Sequence, residues 1–226
     1  MSSAASKKSS GLSMAGRRRL DTGLRLLIAF LFILYALFPI VYVIGTSLNP
    51  SGSLQTSQII PANPSLNNYR SLLTSKTNPF MLWMRNSLIV STMTSILTVA
   101  LCSLAAYSFS RFRWKSRKRL LQGLLLSQVF PNILAIVAVF LMLQQIGRIF
   151  PAFGLNTLGG LILIYLGGAI GFNTWLMKGF FDTVPRDLDE SAMLDGASAW
   201  QTFTSIILPL VRPVLAVIFM LSFIGT

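Results

Sequence analysis

Histidine is absent from the 226-residue chain, and cysteine occurs once, as Cys102. Without histidine there is no Ser-His-Asp triad and no histidine-based metal site; a lone cysteine excludes a Cys-x-x-Cys redox pair and a disulfide framework. Carboxylates are nearly as scarce, six in all and none between Asp21 and Asp182. Charged residues make up 11% of the chain, against roughly 25% for a soluble globular domain. A soluble helical core of that length carries acidic residues on its wet faces, so the gap argues for lipid. No G-x-x-x-x-G-K-[ST] phosphate loop is present either, so the chain has no cradle for ATP. These absences predict a protein that is not an enzyme by itself.

What is present is apolar, with 53% hydrophobic residues. A bilayer core of about 30 Å takes roughly 20 apolar residues per helix. Five such stretches are expected, at about 26–48, 87–109, 120–145, 157–177 and 206–226, forming an all-α integral membrane bundle in residues 26–226. The first 25 residues, rich in Ser and Gly, read as a disordered basic tail. The run after Arg17 to Arg19 is too long for a signal-peptide core of about 7–15 residues and reads as an uncleaved span. Leu66, Tyr69, Leu72 and Leu73 are spaced for one face of a short interfacial helix.

The net charge of +13 raises nucleic acid as a partner, but the positions favour topology. Twelve of the nineteen basic residues sit before the first span or between Arg111 and Arg119. Lys and Arg are retained in cytoplasmic loops, which predicts a cytoplasmic N-terminus, external loops at 49–86 and 146–156, and no nucleic-acid partner.

The spans carry neutral polar groups. Ser87, Ser91, Thr94 and Thr98 share one face of the second span, which either packs on a helix, the commoner role, or lines a cavity. In the third span Gln128, Pro131 and Asn132 lie at i, i+3 and i+4. They read as interhelical hydrogen bonding around a kink, or as a patch of translocation pathway for a polar neutral solute. Gly167 and Gly171 form a G-x-x-x-G that lets helix backbones approach closely. No Asp, Glu or His lies within the five spans, so the groups that usually carry a coupling ion are missing, which weakens a secondary carrier.

Five of the six acids, Asp182, Asp187, Asp189, Glu190 and Asp195, fall within fourteen positions. Pro185 suits a first helical turn, the next acids favour a positive helix start, and Gly196 suits the left-handed position that ends a helix. Ser198 and Gln201 have capping-box spacing. The acids alone fit a solvated turn. The small run Ala192, Gly196, Ala197, Ser198 and Ala199 instead favours insertion into a groove on another protein.

The stretch Glu190-Ser191-Ala192, Gly196 and Ile206-x-Leu208-Pro209 resembles the EAA motif of permease subunits of ABC importers, E-A-A-x3-G-x9-I-x-L-P, with Ser191 replacing the middle alanine. Phe38-Pro39-Ile40, Ala105 to Arg111, Gln128 to Pro131, Gly154 to Thr157 and Lys178 to Phe181 are similar to the MalG-type subgroup of maltose and maltodextrin importers.

The resemblance implies the type I ABC importer permease (MetI-like) fold in a bacterial or archaeal cytoplasmic membrane. It implies three protein partners besides the lipid bilayer: a second permease subunit, a dimer of ATP-binding subunits, and an extracytoplasmic sugar-binding protein, with ATP and Mg held on the ATPases and no cofactor on this chain. Glu190, Ala192, Asp195, Gly196 and Ala197 then form the coupling helix seated on the ATPase, and Leu208 and Pro209 close the motif. Relatives continue into an external loop and a sixth span, whereas this chain stops at Thr226, so five spans and a missing sixth are expected. Sugars other than maltose, glycerol phosphate, a secondary carrier or a membrane scaffold stand as the alternatives.

Overall fold

The computed structural model describes residues 14–50, 61–129 and 132–226, except for the side chains of 14–17, 19, 20, 132 and 133. Every regular element among them is helical. Contacts divide the chain near residue 80 into two units.

The first unit holds α1 (Met14–Ser47) and α2 (Asn67–Thr74). The expected disordered tail is therefore helical from Met14 onward, a difference with a local cause. Asp21 and Arg25 pair at 2.7 Å across one turn, and the apolar run behind them propagates the helix. Residues 1–13 lie outside the described part. Apolar side chains such as Phe32, Tyr35 and Ile40 point outward along α1, as expected of a face turned to lipid or to another chain. The amphipathic α2 forms where the spacing of Leu66, Tyr69, Leu72 and Leu73 places it, with all four side chains exposed. It is tied to the end of α1 by Asn68, whose Nδ2 donates to the Ser47 and Asn49 carbonyls at 3.0 and 2.8 Å. The Tyr69 and Ser47 hydroxyls share a hydrogen bond of 2.7 Å.

The second unit comprises most of α3 (Phe80–Arg111), then α4 (Arg117–Val129), α5 (Asn132–Ile149) and α6 (Leu158–Thr183). It ends in α7 (Asp187–Leu194), α8 (Ala199–Leu210) and α9 (Arg212–Gly225). Asp21–Ser47 of α1, α3 and α6 are each long and apolar enough to cross a membrane. The pairs α4 with α5 and α8 with α9 pass only when taken together, so there are three to five candidate spans among the described residues. Pro131, which separates α4 from α5 in the sequence, lies outside the described residues. The last expected span is bent by 77° between α8 and α9, where Pro209 and Pro213 each remove a backbone donor. Just before Pro209, residues Thr202–Ile207 widen into a π turn in which the Leu208 N–H reaches the Phe203 carbonyl.

Small residues govern how α3 packs. Thr94, Thr98, Cys102, Ala106 and Ser110 recur every four residues and are all buried, a narrow seam that lets other helices come close. Of the expected stripe, Thr94 and Thr98 are inside while Ser87 is exposed. Within the second half of the seam, Cys102 and Ala106, with Tyr107 beside them, pack with Met177 and Phe181 of α6, Phe203 and Ile207 of α8, and Val211, Val214 and Ile218. This cluster is the floor on which the acidic loop rests.

At the other end of α6, Thr157 caps the helix, accepting from the Gly160 N–H at 3.0 Å and donating to the Gly154 carbonyl at 2.8 Å. Gly159 and Gly160 are obligatory there, because an added Cβ would stand 2.3 Å from the Ala152 and Gly154 carbonyl oxygens respectively.

Candidate functional site: the acidic loop and its anchor

An eight-residue helix is too short to hold itself in water, where isolated helices below about 12–15 residues are marginal. The local sequence of α7 supplies both of its ends. Asp187, Asp189 and Glu190 fall in its first turn, where the helix dipole favours negative charge. At its exit Gly196 has φ +83°, with the Gly196 N–H on the Met193 carbonyl at 3.1 Å and the Ala197 N–H on the Ala192 carbonyl at 2.9 Å. That pair of bonds is the Schellman arrangement and needs a left-handed residue. Ser198 and Gln201 then form the expected capping box, the Ser198 N–H donating to Gln201 Oε1 at 2.8 Å and the Gln201 N–H to Ser198 Oγ at 3.3 Å.

The direction in which α7 faces is set from outside. Only Asp189 and Ala192 of its eight residues are buried, at i and i+3 on one face. Arg111, the last residue of α3, brings Nε to 3.0 Å from Asp189 Oδ2, and both side chains are nearly enclosed. The N–H is not aimed at the oxygen, so the link is a charge pair without a well-formed hydrogen bond. The same guanidinium donates from Nη2 to the Val184 carbonyl at 3.0 Å. In return Arg186 Nη2 donates to the Ser110 carbonyl at 2.9 Å, one of the orphan acceptors at the end of α3. Ser110 Oγ donates to Asp182 Oδ1 at 2.7 Å, and Lys178 pairs with the other oxygen of that carboxylate. On the far side of the loop Tyr107 Oη reaches the Ala199 carbonyl at 3.4 Å. The final turn of α3 thus holds the loop from its entry at Asp182 to its exit at Ala199.

The face turned away from this anchor is exposed. It carries Glu190, Asp195 and Gly196 together with three large apolar side chains, Met193, Leu194 and Trp200. Leu194 is 89% exposed and Trp200 63%. Large side chains left in water on a tightly held protrusion mark a contact surface.

The structure divides the residues singled out from the sequence. Glu190, Asp195 and Gly196 lie on the outer face and Ala197 is half-buried beside them, whereas Ala192 is buried against the protein itself. Its small size allows α7 to lie on the π turn of α8. Leu208 and Pro209 are half-buried, and Leu208 packs on the core cluster, so they anchor the return of the chain and stand apart from the exposed face. Gln128 lies elsewhere, on α4, with Nε2 donating to the Gly168 carbonyl at 2.9 Å. The side chain of Asn132 is outside the described residues. Of the G-x-x-x-G pair, Gly171 makes the close contact, since a Cβ there would meet the Leu124 carbonyl oxygen at 2.7 Å. Gly167 faces open space.

Sequence reasoning named Asp189 among the acids of the loop but not as its anchor, and it missed Arg111, Ser110, Tyr107 and Arg186 as parts of this site and Met193, Leu194 and Trp200 as its exposed surface. The run from Ala105 to Arg111 carries some of that signal. Nothing local separates Asp189 from Glu190.

A bundle of apolar helices bearing an anchored protrusion with an acidic and apolar tip defines an integral membrane subunit built to contact another protein. Residues 98–226 match the family described as "Binding-protein-dependent transport system inner membrane component". The maltose/maltodextrin transport system permease protein MalG of Vibrio vulnificus (strain YJ016) is 42% identical over 205 residues, covering 86% of this chain and 69% of that protein. MalG of Salmonella typhimurium (strain LT2) is 41% identical over 217 residues, covering 89% and 73%. In fold, the chain is similar to a component of a bacterial ABC transporter involved in the import of the acidic polysaccharide alginate, with a TM-score of 0.67 and 21% identity over 96% of this chain and 73% of that one.

The chain belongs to the family of inner membrane components of binding-protein-dependent transport systems. It is a multi-pass ABC importer permease component and not a catalytic subunit.

Proposed function

We propose that this chain is the permease subunit of an ATP-driven importer of maltose and maltodextrin, forming half of the translocation pathway together with a second permease subunit. The basic bias of the loops supports a cytoplasmic N-terminus and a cytoplasmic position for α7. There α7 and the turn after it dock on a dimer of ATP-binding subunits, which hold ATP and Mg, and a sugar-binding protein delivers substrate from outside. The observation that carries the docking assignment is the outward row Met193, Leu194 and Trp200 beside Glu190 and Asp195, held by a chain without a nucleotide cradle of its own. Closure of the ATPases moves the docked helices as rigid bodies, and the spans tilt between inward-open and outward-open states. The sugar assignment is supported by the MalG relatives above 40% identity.

The pathway reading of Gln128 and Asn132 is the weaker part of this proposal, because the Gln128 amide already serves the contact between α4 and α6. Replacing Glu190 with Ala, and separately Gly196 with Val, is expected to uncouple ATP hydrolysis from sugar uptake in the assembled transporter. The valine adds strain of about 1–2 kcal/mol at a left-handed position. Normal uptake per ATP in both variants removes the docking assignment. For the substrate, titrating the cognate binding protein with maltose, maltotriose, trehalose and glycerol phosphate decides among the alternatives, and tight binding of either of the last two alone replaces the maltose reading.

A further inference from the structure

We infer that Arg111 and Asp189 are positioning residues that tie α7 to the end of α3, so that a force applied to the docked helix is delivered to that span. The inference rests on the docking reading above and adds the element that receives the motion. An exposed contact surface moves only what it is attached to. The attachments of α7 are few: Asp189 and Ala192 are its only buried side chains, and the alanine offers contact without direction.

Asp189 is therefore the polar handle of the helix, and its partner is the terminal residue of a 32-residue span. The Arg111 guanidinium bridges two places at once, Asp189 on α7 and the Val184 carbonyl at the end of α6. The reciprocal bond from Arg186 to the Ser110 carbonyl closes the link.

The pair is a poor device for stability alone. Taking both charges out of water offsets much of their attraction, and an apolar pair of similar size often serves folding equally well. The Asp189 oxygens make no hydrogen bond among the described residues, which weakens the stabilising role further. What an apolar replacement loses is the long-range attraction that keeps α7 and α3 together while the loop is pushed or pulled.

The test uses the assembled complex in proteoliposomes, with maltose and the cognate binding protein outside. Asp189→Asn, Asp189→Glu and the double variant Arg111→Met with Asp189→Leu are compared with Leu194→Asp, which alters the exposed tip. Three quantities are read: retention of the ATPase, the rate of ATP hydrolysis, and sugar taken up per ATP. The double variant, which leaves no buried charge unpaired, is expected to retain the ATPase and hydrolyse ATP while uptake per ATP falls roughly tenfold, as a small misplacement can cost. Asp189→Asn is expected to show a similar fall, and Asp189→Glu, which keeps the carboxylate beside Arg111, to retain most of the wild-type uptake per ATP. Uptake per ATP at the wild-type value in the assembled double variant overturns the inference, and so does release of the ATPase by that variant. Retention of the ATPase by Leu194→Asp counts against the docking reading, and that result is independent of the other three variants.

Discussion

At Gly171 a single added methyl group would stand 2.7 Å from the Leu124 carbonyl oxygen and 2.8 Å from Gln128 Nε2, whereas at Gly167 it would meet nothing within 4 Å. The two glycines are four apart on one helix, and in the sequence they look equivalent. Backbone oxygen cannot swing aside as a flexible side chain can, so Gly171→Ala is expected to destabilise the protein by about 1–3 kcal/mol through overpacking. Gly167→Ala should be close to neutral. Thermal unfolding of the two variants in detergent checks the contrast, and equal midpoints would mean that α4 and α6 do not approach as closely as this.

The same inequality separates Asp189 from Glu190. Both belong to the first turn of α7 and both favour its positive end, yet one is enclosed beside Arg111 and the other is exposed. Helical periodicity places them about 100° apart, and the sequence does not say which of the two directions faces the protein.

At the scale of elements, the helix ends in the loop after α6 were legible because their signals are local. Val184 precedes Pro185 and leaves the helix, as a residue before proline prefers. Gly196 ends α7 and Ser198 opens α8, each within three or four residues of its bonding partners. Removing the capping oxygen with Ser198→Ala is expected to weaken the start of α8 by about 1 kcal/mol. Faster hydrogen exchange at the Gln201 amide, with little change at core positions such as Ile218, is the readout; unchanged exchange there would mean the cap contributes nothing.

The elements that departed from expectation did so for reasons outside the local pattern. The N-terminal helix reaches back to Met14 because a basic, Ser-poor stretch with an Asp21–Arg25 pair continues an apolar helix at little cost. The last apolar run was expected as one span, but it bends at Val211 between two prolines, and the π turn before Pro209 accommodates the missing donor. Apolarity alone predicted the run, and the backbone chemistry of proline decided its shape.

For the whole molecule, orientation is the property on which the docking proposal depends. The segment from Arg111 to Arg119 carries six basic residues, against Arg70, Lys76 and Arg85 in the stretch before α3's apolar core. In intact cells a membrane-impermeant thiol reagent is expected to label Ser75→Cys and to spare Ser116→Cys until the membrane is opened, in a background with Cys102 replaced. The opposite pattern places α7 outside the cell and ends the proposal. The apolar side chains of α1 are exposed along the length of the helix, as expected of a surface that meets lipid or another chain.

Composition and spacing by themselves determined that the chain is a helical membrane protein, where its apolar runs fall, and that a short capped helix interrupts them near Glu190. These follow from the dearth of carboxylates, the length a bilayer demands and hydrogen bonds that close within one or two turns. Only the tertiary structure decided which face of that helix is handed to a partner and which is held. That choice depends on Arg111 meeting Asp189 across 78 positions of sequence, and a contact between residues so far apart leaves no periodic trace in either segment.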